Sequence, residues 1–375
     1  MTKNLSPVQE IDSYLAHGDQ DLANRRLLDL CLDTDDPDHV REAIHISQKF
    51  RNGEIEKARE SANGLLKKLE TFQIKVHKKN DWIKAESITK TYTNGNFSLK
   101  PSSLHIGSGD ILGVVGENGN GKTTLLRCLA GQLAIDGGSI RYADLKGSDP
   151  FAIRQKVAFI PQRIPRWYGF LKDNLHFSAS IAGIHGEKNE WMVDFMLERL
   201  GLARYAELTW NQISSGYRTR FEIARVLLQR PHLLILDEPL ANLDINAQQT
   251  ILTDLRFMSR SLRHPMGVVL SSQQLHEVEK VADHILFIRN GECLYQARTG
   301  EKTGDEFVLE METPADRETL LGLFGEGISV RYNGGFYTLV SNQLDAQTML
   351  KTLVMAGVPI TYARDITHST KRFFN

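Results

Sequence analysis

The chain has 375 residues, with 45 lysines and arginines against 46 aspartates and glutamates. A length of this order allows about two or three domains, and a net charge so near zero gives no general electrostatic case for binding nucleic acid. No uninterrupted apolar run approaches the ~20 residues of a membrane-spanning helix, so any membrane-embedded part is expected in a separate subunit. The three cysteines are far apart and lack metal-ligand spacing, which favours a reducing cytoplasm.

Residues 1–80 are predicted to form an all-helical module. Leucines recur at helical spacing between positions 22 and 30. The run from Asp35 to Asp38 indicates a helix stop and restart, with Pro37 suited to a first turn. Asn52-Gly53 breaks the next helix, and a charged helix is predicted over 54–70. The composition favours a small docking or stability module.

Residues 81–298 have the pattern of an α/β domain. Two alternating runs, Trp82 to Thr89 and Phe97 to Ile106, are predicted strands with Asn94-Gly95 as the turn signal. Apolar runs then alternate with helical stretches, which indicates a mainly parallel sheet covered on both faces. The predicted strands of that sheet are 111–115, 157–160, 233–236, 268–270 and 285–288.

Residues 299–375 are predicted to form a smaller α+β domain. Strands are expected at 306–310, 328–332, 335–340 and 359–362. Helices are expected near 315–324 and 344–355. The order β-α-β-β-α-β is that of a ferredoxin-like split βαβ domain.

A glycine-rich run follows the first strand of the parallel sheet and precedes a helix, as a phosphate-binding P-loop requires. Its backbone N–H groups can turn inward onto phosphate oxygens, assisted by the helix N-terminus. Lys122 is expected to reach the β- and γ-phosphates, and the Thr123 hydroxyl to bind Mg²⁺. The nucleotide-binding candidates here are Gly116, Asn118, Gly119, Asn120, Gly121, Lys122, Thr123 and Thr124.

Two acids end a later apolar strand. Asp237 and Glu238 directly follow Leu233 to Leu236. Asp237 is expected beside the P-loop as a Mg²⁺ ligand, and Glu238 as the base that polarises an attacking water. The alternative is a strand edge with two surface acids, which the ordered motifs around the pair disfavour.

The order of these motifs resembles that of the ABC-type ATPases, over residues 82–298. Ile160-Pro161-Gln162 resembles the Q-loop, Ser214-Ser215-Gly216 the signature loop, and Ala241 to Asp244 the D-loop. The resemblance implies a P-loop cassette with a mainly parallel sheet and a helical subdomain. It also implies ATP and Mg²⁺ as cofactors, and a role for Gln162 at the metal and the attacking water.

The same resemblance implies a head-to-tail dimer with a second cassette, expected to be a homodimer. Ser214, Ser215 and Gly216 would then contact, in trans, the nucleotide held by the partner's P-loop, with Asp244 in the D-loop. Tyr92 lies where the family has an aromatic that stacks on adenine. A strand-end surface tyrosine is the alternative for that residue.

The chain departs from the family pattern in two places. Ser215 and Tyr217 replace a glycine and a glutamine of the usual signature loop. Gln273 occupies the place of the usual histidine that contacts the γ-phosphate. Since glutamine donates a hydrogen bond but carries no charge, hydrolysis is predicted to be slow but not zero, because Glu238 remains. His276 is expected on the following helix, pointing away.

The segments 171–177 and 182–184 resemble ABC-2-type exporter ATPases, as does the small C-terminal domain. This implies an ATPase subunit of an exporter, peripheral at the inner face of the cell membrane and bound to a separate transmembrane permease. One alternative is a soluble ABC ATPase without a transport role, although no long coiled coil separates Gln162 from Ser214 and there is a single cassette. Another is a slow ATP-dependent switch that recruits a partner through the N-terminal helices.

Overall fold

The computed structural model describes residues 6–93, 95, 97–143, 145, 149–241, 243–298 and 306–367. Asn94 of the predicted turn, Asn242 of the D-loop segment and the predicted domain start at 299 lie outside the described residues. Two compact units divide the chain. The core unit is Met1–Gln273 with Ile288–Cys293, and the C-terminal unit is Gln274–Phe287 with Leu294–Asn375. Among the described helices, none has the length and apolarity needed to cross a bilayer.

Four helices open the core unit: α1 (Pro7–Ala16), α2 (Gln20–Thr34), α3 (Pro37–Arg51) and α4 (Ile55–Glu70). The breaks at 35–36 and 52–54 fall where the sequence predicts them, whereas the break between α1 and α2 was not predicted. Asp35 has a left-handed backbone (φ 58°), and Asp36 caps α3 by accepting a hydrogen bond from the Asp38 N–H. Pro37 occupies the first turn of α3, where a missing N–H costs nothing. The helical structure predicted for residues 1–80 is therefore confirmed.

Buried ion pairs fix these helices to the rest of the core unit. Arg199 is 1% exposed and binds both oxygens of Asp29 on α2, at 2.6 and 2.9 Å. It also donates to Asp254 Oδ1 at 2.7 Å. Glu198, the preceding residue, forms an ion pair with Arg51 of α3, in which Oε1 and Nη1 are 2.8 Å apart. Buried ion pairs thus join the N-terminal helices to the residues that follow them. These contacts are expected to persist, because a buried charge without its partner is costly.

Residues 81–272 form the α/β part of the core unit. In chain order the elements are β1 (Asp81–Thr91), β2 (Ser98–Gly107), β3 (Ile111–Val115), α5 (Lys122–Leu129), β4 (Gly137–Tyr142), α6 (Pro150–Lys156), β5 (Val157–Ile160), α7 (Leu171–Ile181), α8 (Glu187–Arg199), α9 (Ser215–Leu227), β6 (Leu233–Leu236), α10 (Ile245–Ser259) and β7 (Gly267–Ser272). The antiparallel sheet has the order β2-β1-β4, and the parallel strands run in the order β5-β6-β7-β3. All residues of β3, β6 and β7 are buried, as continuous apolar strands between two covering layers require.

Strand β4 and helix α6 are missing from the sequence prediction. Residues 137–141 are partly or fully exposed, and the strand carries no clear apolar alternation. Only pairing with β1, for example Ala85 with Ile140, makes them a strand. Helix α6 spans Pro150–Lys156, too short for its spacing to produce a clear helical pattern.

The C-terminal unit contains α11 (Leu275–Glu279). Strand β8 (His284–Arg289) and strand β9 (Glu292–Arg298) cross the division between the units. The remaining elements are β10 (Phe307–Glu312), α12 (Arg317–Phe324), β11 (Ser329–Asn333), β12 (Phe336–Ser341), α13 (Ala346–Met355) and β13 (Tyr362–Asp365).

The last four strands form one antiparallel sheet in the order β11-β12-β10-β13. In chain order this is second-third-first-fourth, the arrangement that the predicted β-α-β-β-α-β order implies. Its core packs one face of the sheet against α12 and α13. Buried members of that core include Met311, Leu320, Leu339, Met349 and Leu353.

Candidate functional site

The predicted catalytic residues gather at one edge of the parallel sheet. Because β3, β5, β6 and β7 are parallel neighbours, the loops that follow them all leave from the carboxyl edge. These loops carry the P-loop after β3 and the acidic pair after β6. They also carry Gln162 after β5 and Gln273 after β7. This topology therefore brings the loops with the predicted residues to the same edge of the sheet.

The P-loop runs from the end of β3 to the first turn of α5, and steric limits explain two of its glycines. Gly121 has φ 103°, and a Cβ there would also collide with the Phe97 ring. A Cβ on Gly116 would collide with the carbonyl oxygen of Ile288. Only glycine fits both positions, so the loop is held tightly against neighbouring backbone and leaves its N–H groups near the α5 N-terminus.

Lys122 is almost fully buried at the first position of α5. Its Nζ donates to the carbonyl oxygens of Gly116 at 2.7 Å and Glu117 at 3.1 Å. The same ammonium lies 3.0 Å from Glu238 Oε1, and both side chains are less than 10% exposed. Glu238 Oε1 has no hydrogen bond among the described residues, so only the attraction to the Lys122 ammonium offsets the cost of burying its charge. A buried cation aimed at the loop interior suits an anionic ligand that could replace the carboxylate.

The Asp237 carboxylate links three elements of the site. Thr123 Oγ1 donates to Asp237 Oδ2 at 2.8 Å, and Ser271 Oγ donates to Asp237 Oδ1 at 2.8 Å. Ser271 Oγ also accepts from the Glu238 N–H at 2.8 Å. Glu238 has a left-handed backbone with φ 49°, which is unusual for a residue other than glycine. The Ser271 hydroxyl therefore holds in place the strained turn that carries Glu238. Such strained backbone persists only where surrounding contacts support it.

Sequence reasoning missed the role of Ser271. The register of β6 and β7 pairs Leu236 with Leu270, so the next residues, Asp237 and Ser271, are neighbours across the strands. A small polar residue after three apolar ones at the carboxyl end of β7 was the available signal.

The residues present fit a Mg²⁺ ion. Thr123 Oγ1 and Asp237 Oδ2 are 2.8 Å apart, and hard oxygen donors are what Mg²⁺ prefers. Mg²⁺ usually takes one or two protein ligands and completes its shell with water and substrate phosphates. In the part of the chain that the structure describes, no group of three or more histidine, cysteine, aspartate or glutamate side chains could hold a metal ion.

Asn120 has a structural position within the P-loop. It is 7% exposed, and its Oδ1 accepts from the Asn290 N–H at 3.0 Å. Its carbonyl oxygen accepts from the Gly291 N–H at 3.0 Å. By contrast, Asn118 and Gly119 are exposed. The two asparagines of the loop thus differ, since one anchors the loop to the 290–291 turn and the other faces solvent.

Tyr92 lies beside the start of α5. Its hydroxyl is 3.4 Å from the hydroxyl of the buried Thr124, and its ring is 6.3 Å from the Phe97 ring. The side chain is 38% exposed, which leaves a face of the ring accessible. This placement beside the phosphate loop suits the predicted stacking on a base, which stays a prediction.

Gln162 and Gln273 are both exposed at the carboxyl edge, two residues past β5 and one past β7 respectively. The Asp237 N–H donates to the carbonyl oxygen of Ile160 at 2.9 Å, so the Q-loop begins beside the acidic pair. His276 lies on α11 with its Nε2 3.0 Å from Glu277 Oε1. Its place on that helix agrees with the prediction.

The signature and D-loop residues stand at two helix starts. Ser214 is the exposed N-cap of α9 and makes no side-chain capping hydrogen bond. Gly216 is buried, and a Cβ there would be 3.5 Å from Leu243 Cδ2. Asp244 caps α10 through a 2.9 Å hydrogen bond from the Ala247 N–H. The hydroxyl of Ser214 therefore remains available to an outside partner, whereas the Asp244 carboxylate holds its own helix.

The chain is similar in sequence to known ATP-binding proteins of transporters. A family profile described as ABC transporter matches residues 99–241. An uncharacterized ABC transporter ATP-binding protein, YxlF of Bacillus subtilis, is 32% identical over 218 residues, covering 58% of this chain and 70% of YxlF. The methionine import ATP-binding protein MetN of Helicobacter hepaticus is 32% identical over 231 residues, covering 58% and 64%. The phosphonates import ATP-binding protein PhnC 2 of Oceanobacillus iheyensis is 29% identical over 230 residues, covering 57% and 89%.

Solved structures resemble the chain as well. CbiO1 from Clostridium perfringens, described as part of the ABC transporter complex cbiONQ, aligns with a TM-score of 0.54 and 25% identity, covering 58% of this chain and 89% of that one. The dimeric ATP-binding cassette MJ0796 with ADP and phosphate aligns at 0.51 and 23% identity, covering 58% and 98%. The second likeness bears on the fold alone.

Proposed function

Because this chain belongs to the ABC transporter family and is an ATPase subunit of a transporter, we propose that two copies pair head to tail and drive a separate membrane permease. Family membership confirms the predicted ABC-type cassette, with ATP as its nucleotide. The α/β fold with its P-loop cassette is confirmed too. The dimer, the direction of transport and the position at the inner face of the membrane are the parts proposed.

One observation carries the catalytic part of the proposal. A continuous set of contacts links Thr123, Asp237, Ser271 and the Glu238 backbone, and Lys122 pairs with the Glu238 carboxylate. In hydrolysis a water oxygen bonds to the γ-phosphorus, its proton passes to Glu238, and the bond to the ADP oxygen breaks. Lys122 offsets negative charge on the phosphates. A bound Mg²⁺ held by Thr123 and Asp237, with Gln162 nearby, would polarise phosphate oxygens.

The head-to-tail dimer is supported by the free N-cap of α9. Ser214 presents a hydroxyl and a helix N-terminus to solvent, an arrangement that binds anions. The chain's own P-loop already has Lys122 and the α5 N-terminus for phosphate. A partner's ATP is therefore the anion we assign to Ser214, Ser215 and Gly216, so that ATP joins the two cassettes.

A charge placed in this loop is expected to prevent dimer formation. In a Glu238→Gln background, ATP should convert monomer to dimer in light-scattering chromatography. Adding Ser214→Asp, at the exposed N-cap of α9, should leave the protein monomeric, because a carboxylate would then face the partner's phosphate. The matched control is Ser6→Asp, at the exposed N-cap of α1. Equal ATP-dependent dimerisation of the two variants, with both folded, would exclude the proposed interface.

Gln273→His is expected to raise turnover at saturating ATP by roughly tenfold or more, because a charged or proton-transferring group would then face the reacting phosphate. The measurement is phosphate release, with Gln274→His at the next position as the control. An unchanged rate in the Gln273→His protein would show that this position does not limit hydrolysis.

Export is the direction that the segments 171–177 and 182–184 support, whereas the relatives MetN and PhnC 2 are import ATP-binding proteins. Purification of the tagged protein from solubilised membranes of its host, followed by mass spectrometry, tests the transport role. Recovery of a multi-spanning protein in stoichiometric amounts supports the permease partner, and transport assays with that complex then give the direction. Recovery of soluble proteins alone would favour the ATP-dependent switch instead.

A further inference from the structure

A large cavity lies at the amino edge of the parallel sheet, opposite to the edge that carries the catalytic residues. Three of its lining residues, Lys156, His232 and Met266, directly precede β5, β6 and β7. Its volume is about 810 Å³, within the range of about 300–1,000 Å³ typical of small-molecule sites. We call it the amino-edge cavity.

Separate parts of the core unit form its walls. Leu32 of α2 comes from the N-terminal helices, and Trp82 from β1. Helix α8 adds Phe195 and Met196, which are buried, and Ile181 at the end of α7 is 66% exposed. The lining is thus predominantly apolar, with an exposed apolar rim on one side, as expected of a pocket for an apolar ligand body.

The side chains that line the cavity leave an excess of unpaired positive charge. Both lining carboxylates already have partners, since Asp29 binds Arg199 through both oxygens. Asp33 accepts from Ser261 Oγ and from backbone N–H groups. Within the described residues, by contrast, Arg154 and Arg230 form no ion pair, and Lys156 Nζ lies 3.4 Å from His232 Nε2.

Two polar atoms in the wall are unsatisfied. Trp82 is 5% exposed and its Nε1 has no hydrogen-bond partner among the described residues, and the same holds for His77 Nδ1. The Trp82 ring stacks on His232 at 4.2 Å and tilts against His77 at 5.5 Å. A buried N–H without an acceptor is costly. A ligand acceptor that entered after a small shift of these rings would relieve that cost.

We propose that the amino-edge cavity binds an amphipathic organic acid, with an aliphatic or aromatic body against the Phe195 and Met196 side and a carboxylate near the Arg154, Lys156 and Arg230 cations and the Trp82 N–H. The bound acid bridges α2, α8 and the strand starts. Its site is distinct from the nucleotide site, so binding is measurable without ATP turnover.

The first test uses the fluorescent sulfonate 1-anilinonaphthalene-8-sulfonate as the probe. Ala182→Trp and Met196→Trp should each place a bulky side chain in the cavity. The dissociation constant of the probe is then expected to rise about tenfold, because the probe loses part of its buried apolar site. Ala182 is the exposed C-cap of α7, and Ala356, the exposed C-cap of α13, gives the matched control Ala356→Trp. Equal probe binding by Ala182→Trp and Ala356→Trp, with both folded, would overturn the proposal.

The second test addresses the charge. Decanoate is expected to displace the probe about tenfold better than decanol does, because its carboxylate can form charge-assisted hydrogen bonds. The double variant Arg154→Gln, Arg230→Gln should abolish that preference, and Arg331→Gln in the C-terminal unit should not. Displacement of the probe by 2-naphthoate, compared with displacement by decanoate, shows whether the cavity prefers an aromatic or an aliphatic acid. Either preference supports binding of an amphipathic organic acid. Equal displacement by decanoate and decanol would overturn the assignment of an acid.

Discussion

Replacing Glu238 with glutamine is expected to reduce ATP turnover by about 10²-fold or more while leaving ATP affinity largely intact. The carboxylate is the group that can take the proton of the attacking water, and an amide cannot do so. Affinity should survive because the change removes a negative charge that pairs with Lys122 at 3.0 Å. Without that pairing, the ammonium remains available to phosphate. Turnover is measured by phosphate release, and affinity by fluorescence titration with a nucleotide analogue.

Glu207 provides the matched control for this prediction. It is an exposed glutamate in the segment between α8 and α9, which does not directly follow any of the parallel strands. Glu207→Gln should therefore keep the parental rate. If Glu238→Gln retained turnover within twofold, Glu238 would not be the base, and the water would have to be activated by another group at this edge.

The candidate catalytic residues could be located from the sequence because their motifs depend on short-range order. A P-loop is a strand, a glycine turn and a helix in succession, so Gly116 to Thr124 are readable as a unit. Parallel strands then bring Asp237 and Glu238 to the same edge. The ferredoxin-like order of the last domain was readable for the same reason, since each element there has its own periodicity.

Contacts between distant segments were not readable from the sequence. Ser271 lies near the end of the largely apolar strand β7, and only the β6–β7 register shows that it contacts Asp237 and the Glu238 backbone. Strand β4 has no pattern of its own and depends on pairing with β1. Docking of the N-terminal helices rests on Arg199 and Asp29, which are 170 positions apart. No local rule connects such residues, because their meeting is a property of the folded core.

Removing the Arg199 side chain is expected to give the largest loss of stability. Arg199→Ala leaves the carboxylates of Asp29 and Asp254 buried without their main partner, at 11% and 3% side-chain exposure. Breaking a buried pair in this way costs about 3–5 kcal/mol of unfolding free energy. Urea unfolding followed by tryptophan fluorescence reports on this change specifically, because all four tryptophans lie in the core unit.

Arg41 supplies the matched control for Arg199. It also joins the N-terminal helices to α8, through Glu187, but both side chains are exposed, at 44% and 79%. Solvent screens that pair, so Arg41→Ala should cost no more than about 1 kcal/mol. Equal losses for the two variants would show that the Arg199 pairs carry no special weight in docking the helices.

A triple variant shows whether Arg199→Ala loses stability because two carboxylates are left buried without a cation or because the packing of the arginine side chain is lost. In Arg199→Met with Asp29→Leu and Asp254→Leu, no buried carboxylate is left without a cation, although Arg25 loses its partner Asp254. Apolar replacement of a whole buried ion pair is often neutral or stabilising, so most of the stability lost in Arg199→Ala should return. If the triple variant were as unstable as the single one, packing of the arginine stem rather than its charge would hold the N-terminal helices in place.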